Sequence, residues 1–308
     1  MTRAAAATLR GARAVQAAAQ AKVNLRLRIL AREASGFHQL ETLLLRLELA
    51  DTVRVRRTAS ARSLDVSGAD PSAIGPAERN LAWRAAVAYC DAAGWTDGFA
   101  IELEKRIPIG GGLGGGSADA GAVLRAMDAM AAKPIGEAGL LRIAFTLGAD
   151  VPFLASEHAY ALAWGRGERL LALKAPPRRQ VVLVGPPFGV STTEAYGWLA
   201  APRASAVQVG EAVGVLSPAR LARWEAILPL AANDFEPVVA TRHPAIADLV
   251  AQLRAWGAQI AMMSGSGSVV FGVMPASAEV LVQSEGAGRG PALVTHSAVR
   301  VEPVVALD

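Results

Sequence analysis

The chain is poor in cysteine, in aromatic residues and in long apolar runs, and each shortage removes a class of protein. Its 308 residues include one cysteine, Cys90, so no intramolecular disulfide framework can form and no thiolate cluster can hold a metal. A lone thiol fits a reducing compartment, and a cytoplasmic location is expected. Apolar runs are broken by Arg, Glu or Gly well before the roughly 20 residues that a membrane-spanning helix needs, so no membrane partner is expected. Seven Phe and three Tyr accompany arginines that are scattered along the chain. A basic stripe with interleaved aromatics is missing, which argues against a nucleic-acid partner. His158, His243 and His296 lie far apart, with no carboxylate at ligand spacing, so a zinc site is not expected.

What is present is apolar bulk. Hydrophobic residues make up 52% and charged residues 19%, enough for a large core, and the length allows two domains. The net charge of +4 is modest and suits an anionic small substrate. Residues 1–20 are rich in Ala and Arg and contain no acid. They look like a transit peptide or a start-site extension, but no continuous apolar core follows, and a loosely docked N-terminal tail is the expectation.

From Ala21 to Leu30 the sequence alternates, with Val23, Leu25, Leu27 and Ile29 on one face and Lys22, Asn24, Arg26 and Arg28 on the other. That predicts a half-buried strand. A second alternating run over 43–49 leads into Val53–Arg57, and residues 58–77 read as a loop. Asn80 opens an apolar helix through Ala92. Residues 99–106 alternate as a strand, and helices are predicted over 117–131 and 137–147, the latter stopped by Gly148. A hairpin over 159–175 turns near Gly165 and Gly167. The Pro-rich stretch from Ala175 divides an N-terminal domain (21–174) from a C-terminal one (175–308). Beyond it come a strand at 180–185, helices near 192–200, 218–228 and 244–256, and strands around 259–273 and at the C-terminus. Strands and helices mix without steady alternation, which predicts an α+β fold of two domains.

The strongest chemical signal is Pro108-Ile109-Gly110-Gly111-Gly112-Leu113-Gly114-Gly115-Gly116-Ser117 between a predicted strand and a predicted helix. Six glycines in seven positions are costly in backbone entropy. Without Cβ atoms the main chain can approach a polyanion, with N–H groups turned inward and the helix dipole behind them. Ser117 falls where a helix N-cap belongs, and its hydroxyl can instead face a phosphate or Mg²⁺. A plain flexible loop would fit the glycines but not the flanking elements. A dinucleotide fingerprint matches any glycine run, yet no acidic residue ends a second strand about 20 residues on. A Walker loop would need a lysine that this segment lacks.

The pattern Pro-x₃-Gly-Leu-Gly-x-Gly-Ser resembles the phosphate loop of the GHMP kinases, the family of galactokinase, homoserine kinase and mevalonate kinase. Further stretches match in order: Ala21–Leu25, Gly36-Phe37-His38-x-Leu40-x-Thr42, Asn80-Leu81, Lys105–Pro108, Leu147–Phe153, Gly165-x-Gly167-Glu168, Asn233–Glu236 and Ser264–Gly267. As a set they are most similar to the branch of that family that phosphorylates the 2-hydroxyl of a cytidine diphosphate ester of methylerythritol, on the non-mevalonate route to isoprenoid precursors. The resemblance implies a two-domain fold with its site in the interdomain cleft, ATP and Mg²⁺ as cofactors, that small-molecule ester as partner, and a monomer or weak homodimer.

Residue by residue, the resemblance makes Lys22 the catalytic lysine, where the pattern alone gives an exposed strand residue. It makes Asp150 the base that takes the hydroxyl proton, where position alone gives a polar residue past a helix end. The Gly148–Pro152 turn is expected to be stiff, because Pro152 biases Val151 to extended backbone. Asn24, on the same strand face as Lys22, would contact substrate. His38 and Phe37 would meet the cytosine, one by hydrogen bonding and one by stacking; alone they would be ordinary loop residues. Asn80 and Lys105, otherwise a helix cap and an exposed strand-end lysine, would line the adenine and ribose pocket. Ala118, which the resemblance groups with Pro108–Ser117 as ATP-binding, stands where a second serine is common, so one hydroxyl contact to phosphate or Mg²⁺ is missing. Ser264–Ser268 would close the site from the C-terminal domain.

Overall fold

In the computed structural model, the structure describes residues 9–34, 36–70, 74–200, 217–277 and 292–307. Residues 1–8 of the expected extension and 71–73 of the expected loop lie outside them. Two sheets carry the fold. The first is built on two long antiparallel strands, β1 (Ala14–Arg32) and β2 (His38–Thr58), which pair along most of their length. β3 (Arg62–Ser67) lies parallel to β4 (Gly98–Glu104), and β4 pairs with β2. The hairpin of β5 (Tyr160–Gly165) and β6 (Arg169–Ala172) joins the far part of β2.

The helices α1 (Leu81–Ala93), α2 (Gly115–Met130), α3 (Gly136–Leu147) and α4 (Val151–Ala155) pack with this sheet. In α1 the buried positions Ala82, Ala85, Ala86, Tyr89 and Cys90 form one helical stripe. Asn80 accepts the N–H of Ala82 as N-cap, an arrangement typically worth about 1 kcal/mol. In α2 nearly every side is covered, from Ala118 through Met127. Small residues allow this, and they place the helix centrally with the glycine segment at its N-terminus.

The chain leaves the first sheet after Ala172 and enters the second with β7 (Gln180–Val184). There follow α5 (Thr192–Ala200), the short helices α6 (Pro218–Leu221) and α7 (Trp224–Ile227), β8 (Ala232–Asn233), α8 (Glu236–Arg242) and α9 (Ala245–Ala255). β9 (Ile260–Met263), β10 (Val270–Val273) and β11 (Ala292–His296) complete a second antiparallel sheet in the order β11-β7-β10-β9. β8 and β12 (Val305–Ala306) return to pair with β1, so the C-terminal chain is stitched into the first sheet. Among the described residues, no helix is long and apolar enough to cross a membrane.

Four expectations are corrected. Residues 14–20 are no tail. They open β1, pair with Ala50–Arg56, and bury Val15, Ala17 and Ala19; alanine alternates as an apolar residue here, but its small side chain gives little signal. The expected loop over 58–77 contains β3, an edge strand whose partly solvated faces leave no clean alternation. The helix expected over 218–228 is broken at Arg223, which is extended and starts the separate α7. Val151 is not extended: it opens α4, with Pro152 in the first turn, where a missing N–H costs nothing.

Candidate active site

The strand β1 carries Lys22 and Asn24 on one face, as period-2 geometry requires, but that face is covered rather than solvated. Lys22 is 3% exposed because the glycine segment folds over it. The Lys22 amide donates to Leu113 O at 2.9 Å, and its ammonium donates to Gly112 O at 3.0 Å and to Asn24 Oδ1 at 2.7 Å. Asn24 Nδ2 in turn donates to Thr42 Oγ1 at 2.9 Å, and Thr42 donates to Arg26 O. Asp150, at the start of α4, brings its carboxylate to 3.2 Å from the Lys22 ammonium and keeps 34% exposure. One side chain is thus held dry and immobile while its partner faces the cleft.

The cleft has a volume of about 450 Å³. It is walled by the whole Pro108–Ser117 segment, by Lys22, Asn24 and Asp150, by Asn80 and Lys105, by Tyr196 of α5 and Phe235 after β8, and by Gly265 and Ser266 of the β9–β10 turn. Gly114 takes φ +73° as the N-cap of α2, a conformation that side-chain-bearing residues rarely adopt. A Cβ there would stand 3.0 and 3.1 Å from Lys22 Cγ and Cε. On Gly112 a Cβ would run into the carbonyl oxygen of Ser264. The first-turn N–H groups of α2 have no intrahelical acceptors and sit where the cleft ends.

The second Gly/Ser turn is latched by the Asn233–Glu236 stretch. Asn233 Nδ2 donates to Met263 O and Gly265 O, both at 2.8 Å, while Glu236 accepts the Met263 N–H and Asp234 accepts the Ile29 N–H. Ser264 Oγ then donates to Gly112 O at 3.0 Å. The motif aligns two glycine turns across the cleft, so its polar residues serve the backbone.

Beneath the loop, the Lys105 ammonium is paired with Asp51 and with Asp119, the latter at 2.6 Å. An exposed lysine was one expectation at this position; instead Lys105 is buried. Burial alone would lower it, yet Asp119 and Asp51 hold it above the ordinary lysine range. Asp51 also accepts the N–H groups of Arg106 and Ile107, which fixes the strand end before Pro108. Asp119 has one oxygen on Lys105 and the other, Oδ1, buried with no partner. Burial pushes its carboxyl up to about 7, with Lys105 offsetting part of the rise and Asp51 adding to it.

Two further expectations change. Ser117 is the third residue of α2, not its N-cap, because the αL turn at Gly114 starts the helix earlier; its side chain still lines the cleft. Ala118 points into the core at 1% exposure and is not a cleft wall, since the fourth helical position turns away from the loop. Neither Phe37 nor His38 is among the residues that wall the cleft; His38 reaches its edge through Tyr196. Phe37 is 57% exposed, under the guanidinium of Arg166, itself paired with Glu33. His38 stacks on Tyr196 with ring centroids 4.8 Å apart, and Tyr196 packs edge-on against Phe235. Burial, and then the charge of Asp150, raise the Tyr196 phenol above its usual range. Tyr196, Thr42 and Asp119 were not singled out as site residues from sequence. Tyr196 lies 158 positions beyond His38, in a helix with no motif around it.

Comparison with known proteins finds relatives over most of the chain. The N-terminal domain of the GHMP kinases matches residues 80–158, and their C-terminal domain matches residues 218–287. A 4-diphosphocytidyl-2-C-methyl-D-erythritol kinase from Desulfotalea psychrophila is 40% identical over 84% of this chain and 85% of its own length. One from Pelotomaculum thermopropionicum is 40% identical over 84% and 88%. A crystal structure of 4-(cytidine 5'-diphospho)-2C-methyl-D-erythritol kinase superposes with a TM-score of 0.70 at 33% identity, covering 92% of this chain and 98% of that one.

Proposed function

The chain belongs to the 4-diphosphocytidyl-2-C-methyl-D-erythritol kinases of the GHMP family, and from that premise we propose that it transfers phosphate from ATP to the 2-hydroxyl of the cytidine diphosphate ester, with Asp150 as base and Lys22 as charge stabiliser. The observation that carries this reading is the 3.2 Å contact between Lys22 and Asp150 at the inner end of the glycine loop. A carboxylate with one open side can take a hydroxyl proton. A fixed ammonium beside it can offset charge that develops as phosphate moves.

The triphosphate would lie along the Gly110–Ser117 backbone, where a Cβ would crowd Lys22 or Ser264. Asn80 and Lys105 would border the nucleoside. For Mg²⁺ the fitting donors are the Ser117 hydroxyl and Asp119 Oδ1, a buried carboxylate oxygen left without a partner. Among the described residues no group of three acidic, His or Cys side chains could hold a metal. That suits an ion bound by one or two protein oxygens plus phosphate and water. When bound, it would neutralise phosphate charge.

Asn24 would hold the acceptor near Asp150. His38, Phe37 and Tyr196 would take the cytosine, the first by hydrogen bonding and the others by stacking, with the His38–Tyr196 stack marking a site for a flat ring. The N-terminal domain would bind ATP and the C-terminal one would close over it. Other family members act on homoserine or mevalonate, for which a stacked ring pair has no use. The test is to offer ATP with the cytidine ester, homoserine and mevalonate separately and to follow ADP release. Preference for the ester is expected, and comparable turnover of either other alcohol would overturn the reading.

A further inference from the structure

Arg46 is the largest fully buried side chain of the molecule among the described residues, and no carboxylate is bonded to it. It sits on β2 directly opposite Lys22 in the β1–β2 ladder. Its guanidinium reaches into the turn after α4. Nη2 donates to Phe153 O at 2.8 Å and to Ser156 O at 2.9 Å, and Nε donates to His158 O at 3.0 Å. The guanidinium carbon also lies 5.1 Å from the centre of the Phe153 ring. Its own backbone N–H donates to Ala159 O.

Burying a charge for packing alone is unfavourable, and an apolar side chain of similar size would often serve better. What an apolar residue could not do is tie together three carbonyls, one in the last turn of α4, one at its C-cap and one in the loop that follows. That helix is five residues long and has Asp150 as its N-cap, with the Leu154 N–H donating to Asp150 O. The strand pair that holds Lys22 therefore also grips the far end of the element that carries Asp150.

We propose that Arg46 is a positioning residue for phosphate transfer: it fixes α4 against the β1–β2 ladder and so sets the separation of Asp150 from Lys22. The inference rests on the assignment of Asp150 as base. Loss of the clamp frees one helical turn and the base with it, while the cleft walls that bind ATP and acceptor stay where they are. A displacement of about 1 Å at a reacting group can cost on the order of 10²-fold in rate.

The test compares Arg46→Gln, Arg46→Lys, Asp150→Asn and the double variant Arg46→Gln/Asp150→Asn, with folding checked by circular dichroism and a thermal melt. Arg46→Gln should lower kcat by roughly 10–100-fold with both KM values nearly unchanged. Arg46→Lys keeps the charge and reaches fewer carbonyls, so it should recover part of the loss. If the glutamine variant does not fold, the lysine variant carries the test with a several-fold fall in kcat at constant KM. In the Asp150→Asn background the Arg46 change should cost little more, because the group it positions is already disabled. A folded Arg46→Gln or Arg46→Lys enzyme with normal kcat, beside a collapsed Asp150→Asn, overturns the proposal and leaves the base assignment standing. So does a loss that multiplies fully with Asp150→Asn, or one confined to KM. Near-normal kcat in Asp150→Asn alone overturns the base assignment and this inference together.

Discussion

Lys22 Nζ lies 3.2 Å from Asp150 Oδ2 and donates to Asn24 Oδ1 and Gly112 O. Two hydrogen bonds and one ion pair hold the ammonium, so the loop, the strand and Asp150 share one cation. Asp150 makes no side-chain bond to cap its own helix. Its side chain lines the cleft and keeps 34% exposure, as the proposed role of base requires.

The first prediction follows from that sharing. Asp150→Asn keeps the shape but cannot accept a proton, and kcat should fall about 10²–10⁴-fold with little change in either KM. Lys22→Met should also lower kcat, and the double variant should lose less than the product of the two. Steady-state kinetics on the three proteins checks it; a near-normal kcat in Asp150→Asn would count against the mechanism.

Gly114 tests the cradle. Valine there must hold φ +73° against a backbone preference of roughly 1–2 kcal/mol, and its Cβ meets Lys22. Gly114→Val should weaken ATP binding and reduce kcat together in a folded protein. Calorimetric titration with ATP reads the first effect, and unchanged affinity would remove the loop from the phosphate site.

The mouth of the cleft separates binding from chemistry. His38→Ala and Tyr196→Leu each break the 4.8 Å stack and should raise KM for the cytidine ester about tenfold, the scale of a lost stacking contact of 1–1.5 kcal/mol. KM for ATP should stay nearly constant in both. An equal rise in both KM values would mean that the pair supports the fold rather than the base.

Much of this site was legible because its residues are local and unusual. Period-2 alternation placed Lys22 and Asn24 on one face, and the glycine run marked a segment that lines the cleft. Burial was not legible: nothing in AKVNLRLRIL says that the polar face would be roofed by a loop 90 residues away. Residues 14–20 were misjudged because alanine supports strand, helix or tail alike. β3 escaped because an edge strand with two wet faces has no apolar period. Tyr196, Asp119 and Arg46 owe their importance to partners far off in sequence or hidden by the fold, and no spacing rule links Arg46 to the carbonyls of Phe153, Ser156 and His158.

Asp119 yields the last prediction, on stability and pH. Its carboxyl is buried against Lys105, with one oxygen unpartnered, and burial raises it from 3.8 to about 7. The folded state therefore keeps a proton that the unfolded chain releases between about pH 4 and about pH 7. Protons bound by the unfolded state are then fewer than those bound by the folded one, so stability falls as pH rises through this window and levels off above it. Asp119→Asn cannot titrate and should lack that slope. Urea unfolding of both proteins at pH 5 and pH 7.5 should show the parent losing stability relative to the variant as pH rises. Parallel pH dependence in the two proteins would place the raised carboxyl somewhere other than Asp119.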